Sequence, residues 1–167
     1  AVVMDIRNGQ ILAIASYPTY DPNIFEKGLT VAQASDLFSE KKSVPALSRA
    51  LQGLFAPAST FKSVSVIAAA SAGYNLKASY NCPAEVQVGT RAFQNFESRA
   101  QGVMSMKKAI AVSCDTIWYR IAFDEWLRDG GLRPKSSPND YFFKAAQSFN
   151  ITQRVGIDLP SESSSRL

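Results

Sequence analysis

The chain has 167 residues, of which 46% are hydrophobic and 19% charged, and its net charge is +4. This composition excludes a disordered chain, and the lack of an apolar run of about 18 residues excludes a transmembrane helix from the sequence. The small positive charge is spread out, so nucleic-acid binding is not expected. The sequence has no histidine, which excludes Ser-His-Asp and Cys-His catalysis and most zinc sites. An activated nucleophile would therefore need Lys, Asp, Glu or Tyr as its base.

The first 73 residues predict a hairpin, a loop and two helices. The apolar runs VVMDI and ILAIAS are joined through RNGQ, and the Asn8-Gly9 step is typical of a turn between strands. Because the chain opens on this strand, any targeting segment is expected upstream of it. YPTYDPN predicts an extended loop. Apolar spacing then predicts helices over residues 30–42, with Thr30 as N-cap, and over 59–72, closed by Gly73.

The rest of the chain predicts short strands followed by helices. Residues 80–96 lack a clear period, and we expect short strands and loops there. The remaining segments predict helices over 105–113, 116–131 and 139–149, a loop over 133–138 and an irregular tail. Two strands alone make no stable sheet, so this order indicates the front part of an α+β domain. Cys82 and Cys114 could pair, but their spacing does not demand it.

The pattern Ser-x-x-Lys is common enough to arise by chance, and context must choose among its occurrences. It occurs at Ser39–Lys42, Ser59–Lys62 and Ser105–Lys108. Ser39 lies in the charged run FSEKK, and Ser105 is predicted to cap a helix. The lysines of these two matches are expected to be solvated and protonated, so neither is expected to accept a proton at neutral pH.

The match at Ser59 and Lys62 has a different context. The following residues, SVSVIAAASA, carry no charge and predict a helix buried on most sides. Burial and the positive end of the helix dipole both disfavour the ammonium form of Lys62. A neutral amine is a competent general base, and residues three apart share a helix face, so Lys62 can reach the Ser59 hydroxyl. The unpaired Ser59 N–H at the helix start is available to an oxyanion. The alternative is a buried lysine paired with a carboxylate.

These residues resemble a known family. PASTFK resembles the Ser-x-x-Lys motif of penicillin-binding proteins and serine β-lactamases. The segments AVVMDIRNGQILAIASYPTYDPN and LSRALQGLFAPASTFK are similar to the opening and the nucleophile segment of class B penicillin-binding proteins. The resemblance covers essentially the whole chain and implies a transpeptidase fold of the penicillin-binding protein and serine β-lactamase type. The family usually has Gly before the serine, and Ala58 at that position suggests slightly less room.

The family's second motif, Ser-x-Asn, has its best candidate at Ser113-Cys114-Asp115. This segment lies at the predicted break between two helices, and elongation-type class B enzymes tolerate Asp at the third position. Cys114 is expected to be a small packed residue. The strict matches at 137–139 and 148–150 are rejected because the first lies in a proline loop and the second ends an ordinary amphipathic helix.

The family's third motif, Lys-Thr/Ser-Gly on a sheet strand, does not occur in the sequence. Residues 1–167 are therefore expected to be a partial transpeptidase domain. They would hold its N-terminal hairpin and mostly helical subdomain, with the third motif and the remaining sheet strands beyond the chain end. Alone, this part is expected to be a poor or inactive catalyst.

The resemblance implies a role for each of four residues. Ser59 attacks the penultimate D-Ala of a peptidoglycan stem peptide, and Lys62 takes its proton. Ser113 relays a proton to the leaving D-Ala, and Asp115 orients Lys62 and the substrate amide. Ser59, Ser113 and Asp115 also bind the substrate. A neighbouring stem amine then completes the cross-link, and β-lactams acylate Ser59 as substrate mimics.

The family further implies that no metal or cofactor is needed. It implies a membrane anchor outside this chain, a position on the extracytoplasmic face of the bacterial membrane and a membrane glycosyltransferase partner. Two alternatives stay open. One is a D,D-carboxypeptidase or β-lactamase that passes the acyl group to water, and the other is a non-catalytic β-lactam sensor or scaffold domain.

Overall fold

A computed structural model describes residues 1–165 of the chain. These residues divide into two compact units. The first contains residues 1–55 and 154–165, and the second contains residues 56–153. Within the described range, none of the helices combines the length and the apolar character needed to cross a membrane.

The first unit opens with the predicted hairpin. Strands β1 (Val2–Met4) and β2 (Ile11–Ile14) pair antiparallel, with Val2 opposite Ile14. The Asp5 carbonyl accepts the Gly9 N–H at 2.8 Å, and the Asp5 N–H donates to the Gln10 carbonyl at 2.8 Å. The connection therefore runs from residue 5 to residue 10, longer than a two-residue turn, and Gly9 supplies its left-handed backbone at φ +79°.

The predicted helix over 30–42 is shorter than expected. Helix α1 spans Val31–Phe38, and its predicted N-cap is confirmed by a capping box between Thr30 and Gln33. The helix ends because Ser39 is extended at ψ 123°, and residues 40–42 form a separate 3-10 turn. Helix α2 (Arg49–Gln52) was not predicted, because one turn carries no periodic signal.

The second unit contains four helices, at the positions predicted. They are α3 (Lys62–Ser71), α4 (Met106–Ala111), α5 (Thr116–Arg128) and α6 (Tyr141–Ser148). The helix predicted from residue 59 begins as a 3-10 turn over Ala58–Phe61 and becomes α-helical at Lys62. Ser105 caps α4 as expected, with its hydroxyl accepting the Lys108 N–H at 3.3 Å.

Four short strands form two antiparallel pairs in this unit. They are β3 (Ser79–Cys82), β4 (Glu85–Val88), β5 (Arg91–Gln94) and β6 (Gly102–Ser105). β4 pairs with β5 as a hairpin, whereas β3 pairs with β6 across the intervening residues. β6 was not predicted, because it runs directly into the cap of α4 and is only four residues long.

The core of this unit lies between α3, α5 and the β3–β6 pair. Its largest members include Met104, Met106, Ile117, Trp118 and Ile121, all at most 4% exposed. On the other side of α3, alanines 68, 145 and 146 let α3 and α6 approach closely. The pairing of Cys82 with Cys114, which the sequence left open, is formed. It joins β3 to the turn between α4 and α5 inside the core.

Candidate active site

The first element of the site is the turn that starts α3. Ala58 adopts a left-handed backbone at φ +48°, and Ser59 follows it in the 3-10 turn. Lys62 is the first residue of α3, and its side chain is only 9% exposed. Its Nζ lies 3.1 Å from the Ser59 Oγ, so the shared helix face predicted from the sequence is confirmed.

The second element is the turn between α4 and α5. Ser113 is held there in a left-handed conformation at φ +55°. Its hydroxyl oxygen lies 2.8 Å from the Ser59 Oγ and 2.7 Å from the Lys62 Nζ, while its carbonyl accepts from the same amine at 2.9 Å. Each of the three functional groups therefore lies within hydrogen-bond distance of the other two.

Asp115 completes the cluster from the N-terminus of α5. Its Oδ1 lies 2.5 Å from the Lys62 Nζ, and its Oδ2 accepts the Phe96 N–H at 3.2 Å. The Lys62 amine is therefore paired with a carboxylate inside the protein. Both interpretations of Lys62 from the sequence thus describe one arrangement, because the lysine is paired with a carboxylate and also contacts both serines.

The amine of Lys62 has more oxygen neighbours than protons to offer. Four oxygens lie within 3.1 Å of it: two from Ser113, one from Ser59 and one from Asp115. An ammonium has three protons, and a neutral amine has two plus a lone pair. The lone pair of the neutral form can accept a serine proton, so the cluster is built for proton movement among these groups.

Two cavities flank Ser59. One, of about 380 Å³, is walled by the aromatic side chains of Phe61, Trp118, Tyr119 and Phe142. The other, of about 720 Å³, is more polar and is lined by residues that include Phe96, Glu97, Arg99 and Gln101. Burial raises the pKa of the Tyr119 phenol, and the nearby charge of Asp115 raises it further. This phenol is therefore neutral over the physiological range.

The rejected motif matches lie in ordinary structural settings. Lys42 forms an exposed ion pair with Asp36 at 2.7 Å. The side chain of Asn139 donates to Asp129, and Asn150 follows the end of α6 at φ +56°. Among residues 1–165, no group of three or more His, Cys, Asp or Glu could hold a metal ion.

One buried residue beside the site, Asn95, was not predicted from the sequence. The Asn95 amide is 3% exposed and accepts the N–H groups of Asp115 and Thr116, at 3.0 and 3.2 Å. No local spacing reveals it, because it lies 20 residues before Asp115 in the sequence. Its only signal is a polar residue at the end of a short strand.

Comparison with known proteins gives a consistent result. The sequence matches the family described as penicillin binding protein transpeptidase domain over residues 1–167. It is 28% identical over 181 residues to the peptidoglycan D,D-transpeptidase MrdA of Acinetobacter baumannii, covering 97% of this chain and 23% of that protein. The chain thus spans about a quarter of the length of the curated relatives it matches.

Solved structures with a similar fold indicate the same family. The crystal structure of Pseudomonas aeruginosa PBP2 in complex with WCK 5153 has a TM-score of 0.78 and 26% identity, over 99% of this chain and 36% of that one. A chain from a structure on the coordination of polymerization and crosslinking by a peptidoglycan synthase complex has a TM-score of 0.72 and 29% identity, over 99% and 27% of the two chains. The expected resemblance and the α+β transpeptidase fold are confirmed, and the chain belongs to the penicillin binding protein transpeptidase domain family.

Proposed function

We propose that the full-length protein containing this sequence is a peptidoglycan D,D-transpeptidase, and that residues 1–167 are the N-terminal part of its transpeptidase domain. The observation that carries the proposal is the contact of the Ser59 hydroxyl with both Lys62 and Ser113, at 3.1 and 2.8 Å. A serine, a buried amine and a second hydroxyl in mutual contact are the parts that acyl transfer without histidine requires.

In the first half of the reaction, the Ser59 Oγ attacks the carbonyl carbon of the penultimate D-Ala of a stem peptide, and its proton passes to the neutral Lys62 amine. Asp115, 2.5 Å away, stabilises the ammonium that forms. The hydroxyl of Ser113 contacts both groups and relays a proton to the nitrogen of the leaving D-Ala. The amide C–N bond breaks, and an ester of Ser59 remains.

In the second half, an amine of a neighbouring stem attacks this ester. Its proton passes to the Lys62 amine, a new amide bond forms, and Ser59 regains its proton. β-Lactams enter the first half only, because opening of their ring leaves no departing group and the ester persists. The third motif, expected beyond residue 167, would hold the substrate carboxylate.

The relatives support a setting for this reaction. We propose that the domain lies on the extracytoplasmic face of the bacterial membrane and works with a membrane glycosyltransferase. The similarity to a chain whose structure concerns the coordination of polymerization and crosslinking supports the second point.

The test is the intact mass of the full-length protein after incubation with benzylpenicillin. We expect one penicilloyl adduct in the natural protein and none in Ser59→Ala. Ser105→Ala is the matched control, because it removes the serine of another Ser-x-x-Lys match that only caps α4. An adduct that persists in Ser59→Ala would contradict the proposal.

Product analysis separates the alternatives. A transpeptidase keeps the penicilloyl ester and joins stem peptides. A D,D-carboxypeptidase passes the acyl group of the stem peptide to water, and a β-lactamase passes the penicilloyl group to water. A sensor would form the adduct and release no D-Ala from stem peptides.

A further inference from the structure

The side chain of Asn95 uses its full hydrogen-bonding capacity inside the protein. Its Oδ1 accepts the N–H groups of Asp115 and Thr116, at 3.0 and 3.2 Å. Its Nδ2 donates to the carbonyls of Pro83 and Arg99, at 2.8 and 3.0 Å. An amide has two donors and two acceptor lone pairs, and all four are used here. Asn95 therefore links the residues just before β4 and just after β5 to the first residues of α5.

The hydrogen bonds of Asn95 satisfy backbone N–H groups at the start of α5 that the N-cap side chain leaves without a partner. An aspartate at an N-cap usually accepts a backbone N–H of its own helix. Asp115 occupies the N-cap of α5 but makes no such bond. Its carboxylate points to Lys62 at 2.5 Å instead. The Asn95 Oδ1 takes over part of the capping by accepting two successive N–H groups at the helix start.

The residue after Asn95 holds the same carboxylate from the other side. The backbone N–H of Phe96 donates to the Oδ2 of Asp115 at 3.2 Å, while Oδ1 faces Lys62. Residues 95 and 96 thus fix the backbone and one oxygen of Asp115, which leaves the other oxygen directed at the amine.

We propose that Asn95 is a positioning residue for Asp115. By capping α5 in its place, Asn95 frees the Asp115 carboxylate and aims it at Lys62. The inference rests on the proposed function, since it concerns the efficiency with which Lys62 activates Ser59.

A double-mutant cycle tests this inference. The second-order rate constant of acylation by a fluorescent penicillin is measured for the full-length natural protein and for the variants Asn95→Ala, Asp115→Ala and their combination. We expect Asn95→Ala to slow acylation about 10- to 100-fold, the cost known for residues that orient metal ligands through hydrogen bonds. In the Asp115→Ala background, the same change should slow it less than about threefold, because the group it positions is gone.

A purely structural role predicts a different pattern. Loss of packing or folding would slow acylation by the same factor in both backgrounds, and that result would overturn the inference while leaving the proposed function intact. Failure of the natural protein to form an adduct, or an undiminished adduct in Ser59→Ala, would overturn the proposed function and this inference with it.

Two further variants allow the inference to be tested even if Asn95→Ala folds poorly. Asn95→Asp keeps an oxygen that accepts the two N–H groups, but its second oxygen faces the Pro83 and Arg99 carbonyls. We therefore expect lower stability but an acylation rate clearly above that of Asn95→Ala. Thr116→Val is the matched control. It removes the hydrogen bond from the Thr116 hydroxyl to the Pro83 carbonyl but keeps the Asn95 Oδ1 that accepts the Asp115 N–H. Acylation by Asn95→Asp as slow as that of Asn95→Ala would contradict the inference.

Discussion

Ala58, immediately before the proposed nucleophile, adopts a backbone conformation that suits glycine. Its φ is +48°, and an L-residue in the left-handed region is disfavoured by about 1–2 kcal/mol. The glycine usual in the family would carry no such cost, so the departure noted in the sequence appears in the structure as backbone strain.

We therefore expect Ala58→Gly to raise the free energy of unfolding by about 0.5–1 kcal/mol, since relief of strain outweighs the extra freedom of the unfolded chain. Urea denaturation measures the change. Ala56→Gly is the matched control, because Ala56 lies in the same loop without a positive φ and should be destabilised by glycine. A loss of stability in both variants would contradict the strain argument.

For the individual residues of the site, the distance between them along the chain decided what could be predicted. Ser59 and Lys62 are three residues apart, so a helix brings them together and the sequence was enough to pair them. The resemblance to the family then supplied Ser113 and Asp115. Asn95 reaches Asp115 only through the tertiary fold, and no spacing in the sequence predicts such a contact.

Among the elements, the connection between α5 and α6 depends on one carboxylate. Asp129 accepts the backbone N–H groups of Asn139 and Asp140, at 2.8 and 2.9 Å. These two bonds, led by that from Asn139, lower the pKa of Asp129. A lowered pKa stabilises the fold at pH values above the usual range of aspartate, and this contribution is lost as the pH falls through the lowered value.

Asp129→Asn should therefore lower Tm at pH 7, and the difference from the natural protein should shrink as the pH falls below the usual aspartate range. Thermal unfolding followed by circular dichroism at several pH values measures this. Asp158→Asn, at an exposed position, is the control and should change Tm little. A difference that does not depend on pH would contradict the role given to the carboxylate.

The disulfide fixes β3 to the turn that carries Ser113. It joins cysteines separated by 32 residues, and a loop of this length restricts the unfolded chain by about 3–4 kcal/mol in the loop-entropy model. We expect replacement of both Cys82 and Cys114 by alanine to lower the free energy of unfolding by a similar amount in urea denaturation. Added reductant should not destabilise that variant further, and a natural protein equally stable with and without the disulfide would contradict the expectation.

Helices were predicted more successfully than strands, for a physical reason. The longer helices carry apolar residues at helical spacing and recognisable caps such as Thr30 and Ser105. The strands in the second unit have four residues each, too few for a period to be seen. β3 and β6 also pair across the intervening hairpin, and local sequence contains no information on such a pairing.

For the whole molecule, the resemblance to a family predicted more than periodicity did. The hairpin followed by helices indicated only an α+β domain, whereas the nucleophile segment indicated the transpeptidase fold that the comparisons confirm. Pairing of the cysteines stayed open because it depends on how α4, α5 and β3 meet.

Stability at alkaline pH should depend on two tyrosines. Burial raises the pKa of both Tyr74 and Tyr119. A raised pKa gives a contribution that is complete below the usual tyrosine value of about 10 and is lost as the pH rises through the raised value. We expect the unfolding free energy to fall in this alkaline window, and to fall less steeply in Tyr119→Phe. Urea denaturation across the window, with the phenolate absorbance as a second signal, measures both effects, and an unchanged slope in the variant would contradict the assignment.

Formation of the disulfide between Cys82 and Cys114 depends on the compartment in which the chain folds. Disulfides form where an oxidant is available and are rare in the reducing cytoplasm. If the domain lies outside the cytoplasm as proposed, the covalent link beside Ser113 and Asp115 forms only after export. We expect chains kept in a reducing compartment to carry the same four side chains without this covalent support.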